Sequence, residues 1–206
     1  MLASAALALS LVVRVYDAAG LAPGDRSAAL SVARTILGET GIAVTWRDGG
    51  ECRDAAEHRE PSRNEPALPP EVIIRIVAAP AETPPGSLGF SLVDVVERTG
   101  TLATVYADRV TDLARLGNID VGRLLGRAMA HEVGHLLLGT TRHANRGLMR
   151  GTWTTTELRL DRPWDWMLLR EDIVRMRVGL AARARRLEKP DTVLARQGHG
   201  TSKPEP

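Results

Sequence analysis

The residues best suited to chemistry are His131, Glu132 and His135, which lie in the run His-Glu-Val-Gly-His. Four residues of an α-helix turn through about 400°, so the two imidazoles project from nearly the same side, one turn apart. Rings at that spacing can bind one Zn²⁺ at about 2.0–2.1 Å. Glu132 is rotated about the helix axis away from the side that carries the two histidines. It can therefore act on a nearby water without binding the metal. The run therefore predicts a zinc site with a general base beside it.

A catalytic zinc site needs a third protein ligand and one open position. His143 is the best candidate, because Gly139 lets the chain reverse after the helix and return a side chain toward it. Acidic residues on later elements are the alternatives: Glu157 or Glu171, and less favourably Asp161. The sequence thus favours His143 and leaves the carboxylates open.

A wider pattern around these residues resembles the metzincin metallopeptidases, whose extended motif is H-E-x-x-H-x-x-G-x-x-H followed by a methionine turn. It also resembles uncharacterised bacterial metzincin-like proteins that read H-E-x-G-H-L-L-L-G before a histidine and Gly-x-Met-Arg. The matching residues are His131, Glu132, His135, Gly139, His143, Gly147, Leu148, Met149 and Arg150.

The resemblance implies that three histidines bind zinc, that Glu132 is the general base and that Met149 lies beneath the metal as a hydrophobic floor. This chain departs from the metzincin motif in two spacings. Seven residues separate His135 from His143, against five in the metzincin motif, and Gly139 comes one place later. The different spacing affects the assignment of His143 as the third ligand and leaves the assignment of His131 and His135 unchanged.

The chemistry requires a helix, and the flanking residues predict one over Val121–Leu138. Asp120 is a good N-cap, and Gly139 is well placed to end the helix in the left-handed conformation. We expect an α+β fold of the zincin or metzincin type, in which a small, mixed, twisted sheet packs on helices that include this active-site helix.

The remaining elements follow from periodicity and from turn residues. A strand–helix–strand start predicts a right-handed parallel crossover, and two later strands are predicted to form a hairpin with its turn at 98–100. Residues 48–70 and 140–164 are predicted to be mostly irregular. The predicted strands are 10–16, 42–46, 71–79, 90–96 and 102–107, and the other predicted helices are 27–40 and 169–186.

The predicted domain organisation is a possible signal remnant or disordered segment at 1–9, a zincin-like metallopeptidase domain at 10–187 and a disordered tail at 188–206. Residues 2–13 are almost wholly apolar, which is the length of a signal-peptide core and too short to span a bilayer. We therefore expect a secreted or periplasmic protein without a membrane span. Cys52 is the single cysteine, so no internal disulfide can form.

These features predict a zinc-dependent endopeptidase acting on a peptide or protein, and a monomer. Strand 102–107 is a candidate sheet edge for holding an extended substrate, with Tyr106 as a weak candidate oxyanion donor. The alternative is a zinc-binding interaction module without catalysis. Six arginines between Arg170 and Arg186 raise nucleic acid as a further possibility, but the net charge of +2 argues against it.

Overall fold

A five-stranded sheet forms the framework of the protein, which we describe from a computed structural model covering residues 9–50 and 68–187. The strand order is β2-β1-β3-β5-β4, with β4 antiparallel to β5 and every other neighbouring pair parallel. The strands are β1 (Ser10–Asp17), β2 (Ala43–Asp48), β3 (Glu71–Val77), β4 (Gly89–Asp94) and β5 (Thr99–Tyr106). The expectations for residues 1–8, for the tail at 188–206 and for Cys52 concern positions outside the described residues.

Within the described ranges, five α-helices accompany the sheet, and a short 3₁₀ turn at Pro163–Asp165 precedes the last of them. The helices are α1 (Pro23–Gly38), α2 (Ala107–Gly117), α3 (Val121–Leu138), α4 (Thr155–Leu160) and α5 (Arg170–Leu187). The mixed sheet packed on helices confirms the predicted α+β class. No helix in the described part of the chain is long and apolar enough to cross a membrane.

Helix α3 is the central helix and has the bounds expected from its end signals. The Asp120 side chain accepts a hydrogen bond from the Arg123 amide at 2.7 Å, and Gly139 ends the helix with a φ of 61°. Nearly every residue of α3 is buried, because α1, α2, α5 and the sheet pack around it. Gly126 permits the close approach of α1, since a Cβ there would lie 2.5 Å from the Ala29 carbonyl oxygen.

The hydrophobic core lies between the sheet and the helices. Strand β1 contributes Leu11, Val13 and Val15 from one face, all fully buried, and β3 contributes Val72, Ile74 and Ile76 in the same alternating pattern. Burying one such side chain stabilises the fold by about 2 kcal/mol. This continuous apolar layer fixes the position of α3 over the sheet.

Two helices were not expected from the sequence. Helix α2 follows β5 directly, although Val110, Ala114 and Gly117 show the spacing of a buried helical face. Helix α4 lies within the stretch 140–164 that was predicted to be irregular. Its capping box, formed by Thr154 and Glu157, was the signal that could have identified it.

The predicted substrate-binding edge was wrong. Strand β5 pairs with β3 on one side and β4 on the other, so it is interior, and β4 is the edge strand. The hairpin itself is confirmed, but its turn spans 95–98, with Arg98 in the left-handed region at a φ of 52°. Strand order depends on long-range pairing that local periodicity does not encode.

The arginines of α5 are partly used inside the protein. Arg177 donates to the Thr40 carbonyl after α1, Arg183 to the Gly100 carbonyl of β5 and Arg186 to the Glu97 carbonyl in the hairpin turn. Arg183 is buried and reaches carbonyls of both β5 and α3. Half of the six arginines thus join α5 to the rest of the fold.

Candidate metal centre

Two histidine rings meet on one side of α3. The Nε2 atoms of His131 and His135 are 3.0 Å apart, and both side chains are buried. Two ligands at about 2.05 Å from a tetrahedral zinc would be separated by about 3.3 Å. The spacing of the two nitrogens is therefore close to that of two corners of a zinc tetrahedron.

Backbone carbonyls determine which nitrogen of each ring carries the proton. His131 Nδ1 lies 2.9 Å from the Leu148 carbonyl oxygen, and His135 Nδ1 lies 2.8 Å from that of Thr140. A carbonyl oxygen accepts and cannot donate, so each Nδ1 is the donor. Both Nε2 lone pairs then face the space between the rings, as in histidines that bind a metal.

Burial keeps these rings neutral. Loss of solvation lowers the pKa of His131 to about 3, with a further contribution from the neighbouring His135. The pKa of His135 is also lowered, again mainly by burial. Neutral imidazoles are the form that binds metal ions, so the local environment prepares both side chains for ligation.

His143 completes the cluster from the loop that follows α3. Its ring centroid lies 5.3 Å from that of His131 and 4.8 Å from that of His135. One nitrogen from each of the three rings lies within 4.8 Å of the others, so the group could hold a metal ion. In the described part of the chain, this is the one group of three or more metal-binding side chains that meets that distance.

The loop carrying His143 is closed by backbone pairing. The Ala144 amide donates to the Met149 carbonyl at 2.8 Å, and Gly147 turns the chain with a φ of 72°. Gly151 lies against the His143 ring, because a Cβ there would be 3.0 Å from His143 Cγ. The loop therefore brings the third histidine to the other two without help from a regular element.

The acidic side chains considered as alternatives have other partners or lie elsewhere. Glu157 pairs with Arg150 and caps α4 through Thr154. Asp161 binds Arg123 and Arg127, each at 2.5 Å. Glu171 is in the first turn of α5 and does not belong to the histidine group.

Glu132 is held beside the histidines by the edge strand. Ser91 of β4 donates from its Oγ to Glu132 Oε2 at 2.6 Å. Burial raises the pKa of Glu132 to about 7, and the bond from Ser91 opposes that rise. A carboxyl group with a pKa near neutrality can both accept and release a proton. Nothing in the local sequence had pointed to Ser91.

Met149 and Trp153 form the apolar surroundings of the cluster. Met149 is buried against the helix, since a Cβ at Gly134 would lie 2.6 Å from its Sδ. The Trp153 ring stands perpendicular to that of His131, with centroids 5.6 Å apart. Sequence reasoning singled out Met149 but missed Trp153. Met149 packs against α3, and Trp153 adds apolar surface to the space beside the histidines.

A cavity of about 660 Å³ opens in front of the cluster. Glu132, His131 and His143 contribute to its wall, together with the loop before β4 and one side of α2. Tyr106 is not among the lining residues; it is buried, and its ring packs near Phe90. The cavity is large enough for several atoms of a ligand beside the histidines.

The framework and the histidine-bearing helix are those of a zincin-like fold, and comparison with solved structures agrees. The chain is similar to archaemetzincin from Methanopyrus kandleri, with a TM-score of 0.55 and 14% sequence identity, over 86% of this chain and 99% of that one. No protein-family model and no curated protein matches the chain. At this identity the similarity establishes the fold, and activity must be argued from the site.

Proposed function

We propose that the protein is a zinc-dependent endopeptidase in which His131, His135 and His143 hold the metal and Glu132 is the general base. The observation that carries the proposal is the convergence of three histidines with a buried carboxylate at one wall of a cavity. The archaemetzincin-like fold supports it, since the name of that relative places it among the metzincins.

The donor set fits zinc. Two of the three rings have Nδ1 engaged by carbonyls and Nε2 free of a proton, an arrangement typical of zinc-bound histidine. Three protein ligands leave a fourth position open, whereas purely structural zinc sites are closed by four protein ligands. This difference favours hydrolysis over the alternative of a non-catalytic zinc-binding module.

Glu132 would act first as general base and then as general acid. Zinc bound at the histidines would supply polarisation of a peptide carbonyl and acidification of a nearby water. Glu132 would accept the proton of the attacking water on its carboxylate and pass it to the nitrogen of the leaving amine. The hydrogen bond from Ser91 Oγ to Glu132 Oε2 would orient the carboxylate for both transfers.

The substrate would lie extended along β4. This strand pairs with β5 on one side and is the edge of the sheet on the other. It also passes close to the general base, because a Cβ at Gly89 would lie 3.0 Å from Glu132 Oε1. Backbone pairing with a free edge holds a peptide with little dependence on its sequence.

The test combines metal analysis with hydrolysis of a fluorogenic peptide library. We expect about one zinc per chain and cleavage that a chelator abolishes. Glu132→Gln should keep zinc and lose hydrolysis, while the exposed Glu82→Gln serves as the matched control. His143→Ala should weaken zinc binding. Full hydrolysis by Glu132→Gln would refute the proposal, and stoichiometric zinc without any hydrolysis would favour the interaction module.

A further inference from the structure

The wall of the cavity formed by α2 carries a cation, Arg109, that forms no ion pair with the described residues. Arg109 lines the cavity together with Leu113 of the next helical turn. It makes no hydrogen bond or ion pair with any of the described residues, and its Nε is buried without a partner. Its terminal nitrogens also have no partner among the described residues, so a ligand in the cavity can bind them with its own acceptor oxygens.

The other charged groups of the cavity wall all have partners. Arg150 pairs with Glu157 and binds the Gly147 carbonyl. Asp112, one turn from Arg109, accepts from Arg115 at 3.4 Å. Glu132 is held by Ser91, as described above. Arg109 is therefore the lining charge that the described structure leaves available to a ligand.

The chemistry of the available group defines its ligand. A guanidinium is planar and always charged, and its fork of N–H donors matches the two oxygens of a carboxylate. Leu88 and Trp153 contribute apolar surface to the same cavity, which strengthens such a pair by lowering the local dielectric. His131 and Glu132 line the same cavity from α3, so a ligand that binds Arg109 can also extend to the histidines.

We infer that Arg109 selects peptides with a carboxylate near the bond to be cleaved. The carboxylate is either an Asp or Glu side chain, which an endopeptidase substrate can carry, or the free C-terminus of the peptide, in which case the enzyme would cleave as a carboxypeptidase. The inference rests on the proposed function for the identity of the ligand as a peptide. Arg109 acts on specificity in this scheme and takes no part in proton transfer.

The test measures peptide binding by calorimetry in the full-length Glu132→Gln background, which prevents turnover. Three peptides of otherwise equal sequence are compared: one with Glu and an amidated end, its Gln twin with the same end, and the Gln twin with a free C-terminus. We expect one of the two carboxylate peptides to bind about tenfold more tightly than the neutral peptide. Adding Arg109→Gln should make all the Kd values equal.

A carboxylate could also ligate the metal, and the second substitution separates the two effects. A preference that survives Arg109→Gln would overturn the inference, as would equal Kd values for the three peptides in the Glu132→Gln parent. Arg109→Glu should reverse the preference toward a Lys peptide, and Arg34→Gln, on the exposed side of α1, is the matched control.

The kinetics of the chain with Glu132 intact distinguish this inference from the proposed function. If the carboxylate peptide binds through Arg109 but no peptide is cleaved, the proposed function fails and the carboxylate site stands. If peptides are cleaved with equal kcat/KM whatever their charge, the endopeptidase assignment stands and the role of Arg109 is refuted.

Discussion

Ser91 on the edge strand donates from one hydroxyl toward two acceptors of Glu132, the carboxylate oxygen Oε2 at 2.6 Å and the backbone carbonyl at 2.9 Å. This contact joins β4 to α3 at the position where the helix carries its catalytic candidate. Because β4 is the sheet edge, one residue connects the strand proposed to hold substrate with the group proposed to move protons.

Replacing Ser91 by Ala should reduce turnover with little change in zinc content. The lost hydrogen bonds leave the carboxylate less firmly oriented, and a bond to a charged group is worth enough to lower kcat about tenfold. The pKa of Glu132 should rise further, because the bond from Ser91 lowers it. Peptide hydrolysis and NMR titration of the metal-free protein measure the two effects. Ser31→Ala on α1 is the control, and an unchanged kcat would contradict the positioning role.

Replacing Glu132 by Gln should alter the pH dependence of stability in the metal-free protein. The folded state raises the pKa from the ordinary 4.5 to about 7, so it binds the proton more tightly than the unfolded chain does. The stability associated with the protonated carboxyl is therefore lost as pH rises from about 4.5 through about 7, and it amounts to about 3 kcal/mol.

Because Gln cannot ionise, the variant does not lose this folding stability as pH rises. The free energy of unfolding of the variant, relative to the parent, should thus be higher at about pH 8 than at about pH 4. Urea denaturation at both pH values measures the difference. Glu82→Gln, at an exposed position, should show no such trend. A pH-independent difference for Glu132→Gln would mean that the carboxyl is not destabilised in its charged form.

Replacing Gly151 by Val should weaken metal binding while leaving the fold intact. A Cβ at Gly151 would lie 3.0 Å from Cγ and 3.1 Å from Nδ1 of His143, so a branched side chain must displace the ring. We expect a loss of metal affinity of about tenfold, by analogy with changes to groups that orient ligands. Competition with a chromogenic chelator measures it. Gly50→Val is an exposed control, and equal affinity of the Gly151 variant would place His143 outside the metal site.

Replacing Gly179 by Ala should destabilise the protein. A Cβ there would overlap the carbonyl oxygen of Leu137, so α5 could no longer approach the last turn of α3. The cost of overpacking, about 1–3 kcal/mol, should exceed the gain in helix propensity of about 1 kcal/mol. At Gly24 of α1 nothing lies within 4 Å, and Gly24→Ala should be neutral or stabilising. Thermal unfolding compares the pair, and equal Tm values would argue against close packing of α5.

Capping residues and apolar periodicity predicted those helices and strands whose ends or buried faces have such residues. Asp120 and Gly139 gave the bounds of α3, because capping depends on a few neighbouring residues. Alternating apolar residues predicted β3, and its parallel pairing with β1 agrees with a strand–helix–strand start. By contrast, α2 was missed because its short amphipathic stretch follows β5 without a Gly or Pro break.

Contacts between distant segments could not be predicted in the same way. The hydrogen bond between Ser91 and Glu132 spans 41 positions, and that between His131 and the Leu148 carbonyl spans 17. Both depend on how the strands pair and how the loop after α3 folds back. The interior position of β5 is another such case: its pairing with β4 is a local hairpin, but its pairing with β3 joins residues far apart in the chain, such as Ile73 and Leu102.

The sequence alone determined that His131, Glu132 and His135 lie on one helix with the two rings on the same side, because helical geometry repeats every few residues. Only the tertiary structure decided that His143 rather than a distant carboxylate joins them, that backbone carbonyls set the ring tautomers, and that Arg109 lines the adjoining cavity. The physical reason is that helical periodicity specifies which side of one helix each side chain faces. Which helices, strands and loops pack together depends instead on burial of apolar side chains throughout the core.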